Sequence, residues 1–251
     1  ETERRVLEAE HERRTEELEA ARRLQLAMLP RTAPEVPGVD LAYRMLTATE
    51  VGGDYVDVRI GDGGRILVAV GDATSHGLQA GMVVAVAKSL FHGAGLVATP
   101  GDVLMHVGAG LQSLRERYAS MAMVVVAIED GRLEVASAGM PPVLIRRGGS
   151  GEVEEILLPG VPLGTLADTD YRVRKVPISS GDVVLMMSDG LIEEVDASDE
   201  AFGYGRVASY LKRCDVSSAE AIVDGLFKLA DAFAGSSTPH DDVTILAMII
   251  E

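Results

Sequence analysis

From residue 39 to the end of the chain, apolar residues fall mostly in short runs bounded by Gly, Asp and Pro, the pattern of strands rather than of long helices. Val39–Met45, Tyr55–Ile60 and Arg65–Val70 read as strands, with Gly61-Asp62-Gly63-Gly64 turning the last two into a hairpin. Met121–Ile128 and Arg132–Ala138 flank Asp130-Gly131, a second hairpin signal. Val143–Arg146 and Val153–Leu157 lie on either side of Gly148–Gly151. Tyr171–Ile178 and Val183–Met187 are joined by a turn at Ser179–Asp182, and Val243–Ile250 closes the chain as a strand. Three stretches read as helices instead. Leu78–Phe91 is apolar on nearly every side and predicts a helix buried against a sheet; Asp102–Arg117 is amphipathic; Ser218–Ala234 is the third. Hairpins dominate, and the helices come in groups rather than one per strand, which disfavours a doubly wound parallel fold. The pattern predicts an α+β fold: two mostly antiparallel sheets packed face to face with helices outside.

Residues 1–29 have a different texture, rich in Glu, Arg, Ala and Leu with no Gly or Pro until Pro30 stops the run. Leu7, His11, Arg14, Leu18, Ala21, Gln25 and Met28 fall at alternating spacings of four and three, a heptad seam weakened by its polar members. Two readings are open: a solvated helix docked at one end, or a coiled-coil linker that couples an upstream domain to this one and makes a homodimer. The first residue is Glu, so the chain reads as a piece of a longer protein. The expected division is a linker helix over 1–29 and a globular domain over 30–251.

Composition narrows the class. Hydrophobic residues make up 47% of the chain but aromatics only 4%, with no Trp, so aliphatic residues must fill the core, with Met82, Met121, Met123, Met186 and Met187 as adaptable fillers. A formal net charge of −16 argues against a nucleic-acid partner. Cys214 is the one cysteine, which excludes a disulfide framework and a four-cysteine zinc site and fits a cytoplasmic location. No apolar run reaches membrane-spanning length, and no signal peptide opens the chain.

The candidate chemistry lies in four acidic clusters: Gly-Gly-Asp at 52–54, Gly-Asp-Ala-Thr-Ser-His-Gly at 71–77, Ser-Asp-Gly at 188–190 and Asp-Asp-Val-Thr at 241–244. Asp54 opens a predicted strand, Asp72 and Asp189 follow strands, and Asp241 and Asp242 open the last one. Carboxylates gathered at strand ends repel one another unless a cation sits between them. An oxygen-only set suits Mg²⁺ or Mn²⁺, and no His/Cys set suggests zinc. Two such ions would lower the pKa of a bridging water and orient a phosphoryl group for in-line attack, with no covalent phosphoenzyme. A cysteine-nucleophile phosphatase is excluded, because Glu220 stands where a Cys-x5-Arg loop starting at Cys214 needs Arg. Each aspartate alone is most simply a turn residue capping backbone N–H groups; together they favour metal ligation. Asp57 reads as a surface acid on a strand, and Glu193 and Glu194 as a solvated face. His76 reads as a turn-fixing histidine or a proton donor to the leaving oxygen, and His240 as a residue of the cleft rim.

These motifs carry a resemblance. GGDYVDV, GDATSHGLQAGM, AGMPP, PLG, GDVVLMMSDGLIEE, FGYGR and DDVTIL occur in the order of the SpoIIE/RsbU branch of the metal-dependent PPM (protein phosphatase 2C-like) serine/threonine phosphatases, and RRLQLAMLP resembles the linker that precedes such domains. The resemblance covers about residues 20–250 and implies an α/β/β/α sandwich. It implies that Asp72 bridges two or more Mn²⁺ or Mg²⁺ ions with the Ala73 carbonyl as a further ligand. Asp189 and Asp241 would hold one ion, and Asp54 would meet the metal shell directly or through water. Asp72, Asp189 and Asp241 are thus the expected catalytic acids, with Asp242, His76 and Gly53 beside them and Asp242 in a supporting role. The implied substrate is a phosphoserine or phosphothreonine on a STAS-domain anti-sigma-factor antagonist, attacked by a metal-activated water. The implied partner is an upstream sensor or receiver domain. Two positions depart from the family pattern: Thr74-Ser75 stands for Ser-Gly, and Met140 for His in an AGHPP-like motif. They keep a second reading open, a weakly active or non-catalytic phosphatase-fold module that binds a regulatory partner. A third is a fragment competent only with its upstream domain attached.

Overall fold

The structure, a computed structural model, describes residues 33–48, 51–74, 77–114, 119–167, 169–235 and 240–251, together with Glu10, Arg13, Thr15, Glu16, Glu19, Ala20 and Arg23, which are helical. The heptad positions of the predicted linker, Ser75 and His76 lie outside the described residues.

Among the described residues, ten strands form two five-stranded sheets, antiparallel at every pairing. One has the order β1-β10-β9-β6-β7, built from β1 (Val39–Leu46), β10 (Val243–Ile250), β9 (Val183–Met187), β6 (Val143–Arg146) and β7 (Val153–Ile156). The other has the order β2-β3-β4-β5-β8, built from β2 (Asp54–Ile60), β3 (Ile66–Ala73), β4 (Met121–Glu129), β5 (Arg132–Ala138) and β8 (Arg174–Pro177). Helices α1 (Leu78–Gly93) and α2 (Pro100–Ser113) cover the second sheet; α3 (Asp189–Glu193), α4 (Gly203–Arg213) and α5 (Ala219–Ala234) cover the first.

Three apolar layers follow from strand alternation, since successive side chains point to opposite faces. In β3, Ile66, Val68 and Val70 enter the layer between the sheets, while Leu67 and Ala69 face α1 and α2. In β10, Leu246 and Met248 point inward, while Val243, Ile245 and Ala247 meet α5. Both faces of each central strand are buried, and for that reason these strands read as almost continuous apolar runs. The predicted α+β sandwich is the observed architecture.

Several local readings change. The second helix begins at Pro100, not Asp102, because Thr99 caps it: its hydroxyl accepts from the Asp102 N–H at 3.2 Å while the Asp102 carboxylate accepts from the Thr99 N–H at 3.0 Å. Helix α1 is not buried on all sides; Met82 is 64% exposed and is no core filler, and Leu78 is also exposed. Asp57 is not a surface acid. It is 2% exposed and faces α1, where one carboxylate oxygen accepts from the Tyr55 hydroxyl (3.0 Å), Lys88 Nζ (2.5 Å) and His92 Nε2 (2.8 Å). Next along the same face, Arg59 donates to the Phe91 and Ala94 carbonyls at the end of α1. The outer face of β2 is therefore a polar clamp on that helix.

Candidate active site

Strand alternation also places the site. In β2 and β3 the residues that enter the inter-sheet layer share parity with Asp54 and Asp72, and these two are direct cross-strand partners. Two carboxylates directly opposite each other are unfavourable in a sheet. From the other sheet, Ser188, Asp242 and Thr244 share parity with the inward residues Met186 and Leu246. Where the apolar inter-sheet layer ends, a polar group drawn from both sheets begins.

Asp54 is 1% exposed. Its Oδ2 accepts from the Thr244 hydroxyl at 2.6 Å and the Ser188 hydroxyl at 2.8 Å; its Oδ1 is buried with no hydrogen-bond partner among the described residues. An orphaned buried carboxylate oxygen is costly and calls for a ligand. Ala73 ends β3, its N–H donating to the Gly53 carbonyl at 3.0 Å, and Thr74 is tied to Ser120 through its N–H and its hydroxyl. Gly53 thus joins the first two acidic clusters through its carbonyl.

Asp189 is the first residue of α3, with Gly190 after it. A Cβ on Gly190 would lie 2.1 Å from the Asp242 carbonyl oxygen and 3.4 Å from Asp241 Cβ, so only glycine lets the start of α3 close on the Asp241–Asp242 pair. Asp242 is buried and already committed: Oδ1 accepts from the Ala48 N–H at 2.8 Å and Oδ2 from the Gly53 N–H. It thus ties the backbone at Ala48 to that at Gly53, and Gly52 leaves room for its carboxylate. Asp241 is exposed and uses Oδ1 to accept from the Asp242 N–H at 2.7 Å.

The electrostatics reflect this crowding. Burial, then the charges of Asp189, Asp241, Asp242 and Glu193, push Asp72 up to about 7. Asp189 is raised by burial and by Asp241. Asp54 is raised well above the usual carboxylate range by burial, with Asp72 and Asp242 adding to the shift and the Thr244 and Ser188 hydrogen bonds opposing it. Such a set holds protons, or a hard cation, more readily than it holds bare charge. Among the described residues no three His, Cys, Asp or Glu side chains are already closed around one ion position. The acids are gathered within electrostatic reach of one another.

Other predicted residues fall outside this group. His240 is exposed, and its Nδ1 lies 2.9 Å from Glu194 Oε1. Glu194 is buried against it rather than solvated, whereas Glu193 is exposed. Met140 is 4% exposed and packs in the inter-sheet core. Sequence reading missed Ser188 and Thr244, although both stand inside the acidic motifs. It also missed Tyr204 at the start of α4, whose phenol is raised by burial and by the nearby charges of Asp189, Glu193 and Glu155.

A protein-family model described as Stage II sporulation protein E (SpoIIE) matches residues 62–251. Among curated proteins the chain is 22% identical to Protein IcfG of Synechocystis, over 92% of this chain and 41% of that protein. It is also 22% identical to Phosphoserine phosphatase RsbU of Bacillus subtilis, over 92% of this chain and 69% of that one. The chain thus spans well under half the length of IcfG. Among solved structures, the SiaA PP2C domain of Pseudomonas aeruginosa superposes with a TM-score of 0.84 at 20% identity, over 97% of this chain and 99% of that chain, a likeness of fold.

Proposed function

The chain belongs to the SpoIIE family, and from that membership together with its acidic cluster we infer that it is a metal-dependent protein serine/threonine phosphatase. The observation that carries the reading is the facing pair Asp54–Asp72, set at the end of the inter-sheet layer beside Asp189 and Asp241, with one Asp54 oxygen buried and unpartnered. The similarity to RsbU, named a phosphoserine phosphatase, supports phosphoserine as the substrate class.

Asp72, Asp189 and Asp241, with the Ala73 carbonyl and the free oxygen of Asp54, would hold Mg²⁺ or Mn²⁺, two ions or more, since carboxylate and carbonyl oxygens suit hard divalent cations. When bound, the ions supply Lewis acidity that lowers the pKa of water and neutralises charge on a phosphoryl group. Asp242 holds the Ala48 and Gly53 amides and so fixes the backbone immediately before Asp54. Gly190 keeps Asp189 close to Asp241. Phosphoserine or phosphothreonine on a STAS-domain anti-sigma-factor antagonist is the proposed substrate, and an upstream sensor or receiver domain, acting through a linker and dimer formed by residues 1–29, is the proposed control. Met140, buried in the core, gives no support to the non-catalytic alternative.

The test is turnover of a phosphoserine peptide in Mn²⁺ by this chain, with Asp72→Ala and Asp189→Ala in parallel. Turnover lost in both variants by 100-fold or more, a loss on the order of that seen when a group stabilising the transition state is removed, is the expected result. Wild-type rates in both variants would show that these acids do not carry the reaction.

A further inference from the structure

Asp54 meets two hydroxyl groups that come from the other sheet. Thr244 Oγ1 and Ser188 Oγ both end on Oδ2, at 2.6 Å and 2.8 Å, and all three residues are fully or almost fully buried. The proton positions follow from counting partners. Ser188 Oγ accepts from the Thr244 N–H at 2.9 Å, so its own proton goes outward. The nearest acceptor is Asp54 Oδ2; the Asp242 carbonyl is farther, at 3.4 Å. Ser188 and Thr244 are in turn fixed to each other, the Ser188 N–H donating to the Thr244 carbonyl at 3.0 Å. The two donors therefore form a rigid unit at the junction of β9 and β10. With both on one oxygen, the other is left buried and unpartnered. The two oxygens are chemically alike; what the hydroxyl pair selects is the direction in which the free one points.

We propose that Ser188 and Thr244 are positioning residues that lock the Asp54 carboxylate so that Oδ1 is presented as a single metal-ligating oxygen, and that they couple the two sheets at the metal centre. The inference rests on the reading of Asp54 as a ligand. Partners that orient a ligating group are typically worth 10–100-fold in metal affinity. The pair has a second consequence. Asp54 belongs to one sheet and its two donors to the other, so a shift of one sheet against the other reorients the free oxygen.

The experiment is a Mn²⁺ titration of the purified chain followed by the electron paramagnetic resonance signal of free Mn²⁺, which needs no turnover, with the fold of each variant checked by circular dichroism. Thr244→Val keeps shape and strand propensity but removes the hydroxyl; it is expected to weaken Mn²⁺ binding by about 10–100-fold. Thr244→Ser, which restores the hydroxyl, is expected to restore wild-type affinity. A folded Thr244→Val with wild-type affinity overturns the inference. So does equal weakening in Thr244→Ser, which keeps the hydroxyl; it would trace the effect to disturbed packing at this position rather than to the lost donor. Should Thr244→Val fail to fold, Ser188→Ala removes the other donor and is judged by the same affinity criterion. Absence of Mn²⁺ binding in the unmodified chain is a separate outcome, and it would overturn the ligand reading on which the inference stands.

Discussion

Gly190→Ala puts a methyl group where the site has no room. The new Cβ would lie 2.1 Å from the Asp242 carbonyl oxygen, a distance real Cβ atoms essentially never show below 3.0 Å. Relief must come from backbone, since the obstacle is a carbonyl rather than a flexible side chain. The first turn of α3 or the start of β10 has to retreat by roughly 1 Å, and a misplacement of that size costs on the order of 100-fold in rate when it lies at the chemistry. Overpacking costs about 1–3 kcal/mol, offset by up to about 1 kcal/mol of gained helix propensity. A net loss of about 1–2 kcal/mol lowers Tm by roughly 2–8 °C for a chain of this size. Differential scanning fluorimetry and hydrolysis of p-nitrophenyl phosphate in Mn²⁺ measure the two effects separately. The expected result is a modest drop in Tm with a rate loss far larger than that drop explains. A variant with wild-type rate and Tm would refute the claim that Gly190 sets the Asp189–Asp241 approach.

Other outcomes follow from the same geometry. Asp72 has a folded value near 7 against 3.8 for an ordinary aspartate. The folded state therefore holds the proton more tightly, and the stability this contributes is complete below the unfolded value and lost as pH rises through about 7. In EDTA, the Tm of wild type relative to Asp72→Asn should fall between about pH 4 and pH 7; a flat difference would count against the crowding of charge. Asp57→Asn removes the carboxylate that Lys88 and His92 share. Both partners are partly exposed, so a loss of about 1–3 kcal/mol is expected, with Mn²⁺ affinity unchanged by the same titration. Met140→Leu conserves volume in the inter-sheet core and should leave the rate at the wild-type level; a large rate loss would place the thioether in the chemistry instead.

The strands were legible because both faces of each sheet are covered, so each central strand declares itself as an apolar run, and turns such as Asp130-Gly131 carry the positive φ angles that mark hairpins. The hairpin pairs β2–β3, β4–β5 and β6–β7 were legible from their turns, but the pairings between distant strands were not, and β8 and β9, joined by one turn, lie in different sheets. β1 lies beside β10, a pairing between the two ends of the fold that no local pattern announces. Helix α4 escaped notice because Gly203 and Gly205 sit in its first turn and only Val207 and Leu211 are fully buried. Asp57 and Glu194 were read as solvated because a charged residue in a strand or helix usually is; their burial depends on Lys88, His92 and His240, partners distant in sequence. The acids of the site were legible as residues, since each stands in a short glycine-bearing motif. Their convergence was expected from their places at strand ends, but the contacts that build it were not legible, because they depend on two sheets sharing one layer. Ser188 and Thr244 stayed invisible for the same reason: a hydroxyl gains its meaning only from the carboxylate it meets across that layer.

The most direct test of the proposed chemistry is hydrolysis of a phosphoserine protein substrate measured against Mn²⁺ concentration, for wild type and Asp72→Ala side by side. Wild type is expected to show no turnover in EDTA, saturable activation by Mn²⁺, and loss of both activation and Mn²⁺ binding in Asp72→Ala. Turnover that persists in EDTA, or Mn²⁺ activation that survives in Asp72→Ala, would contradict a phosphatase built on these acids.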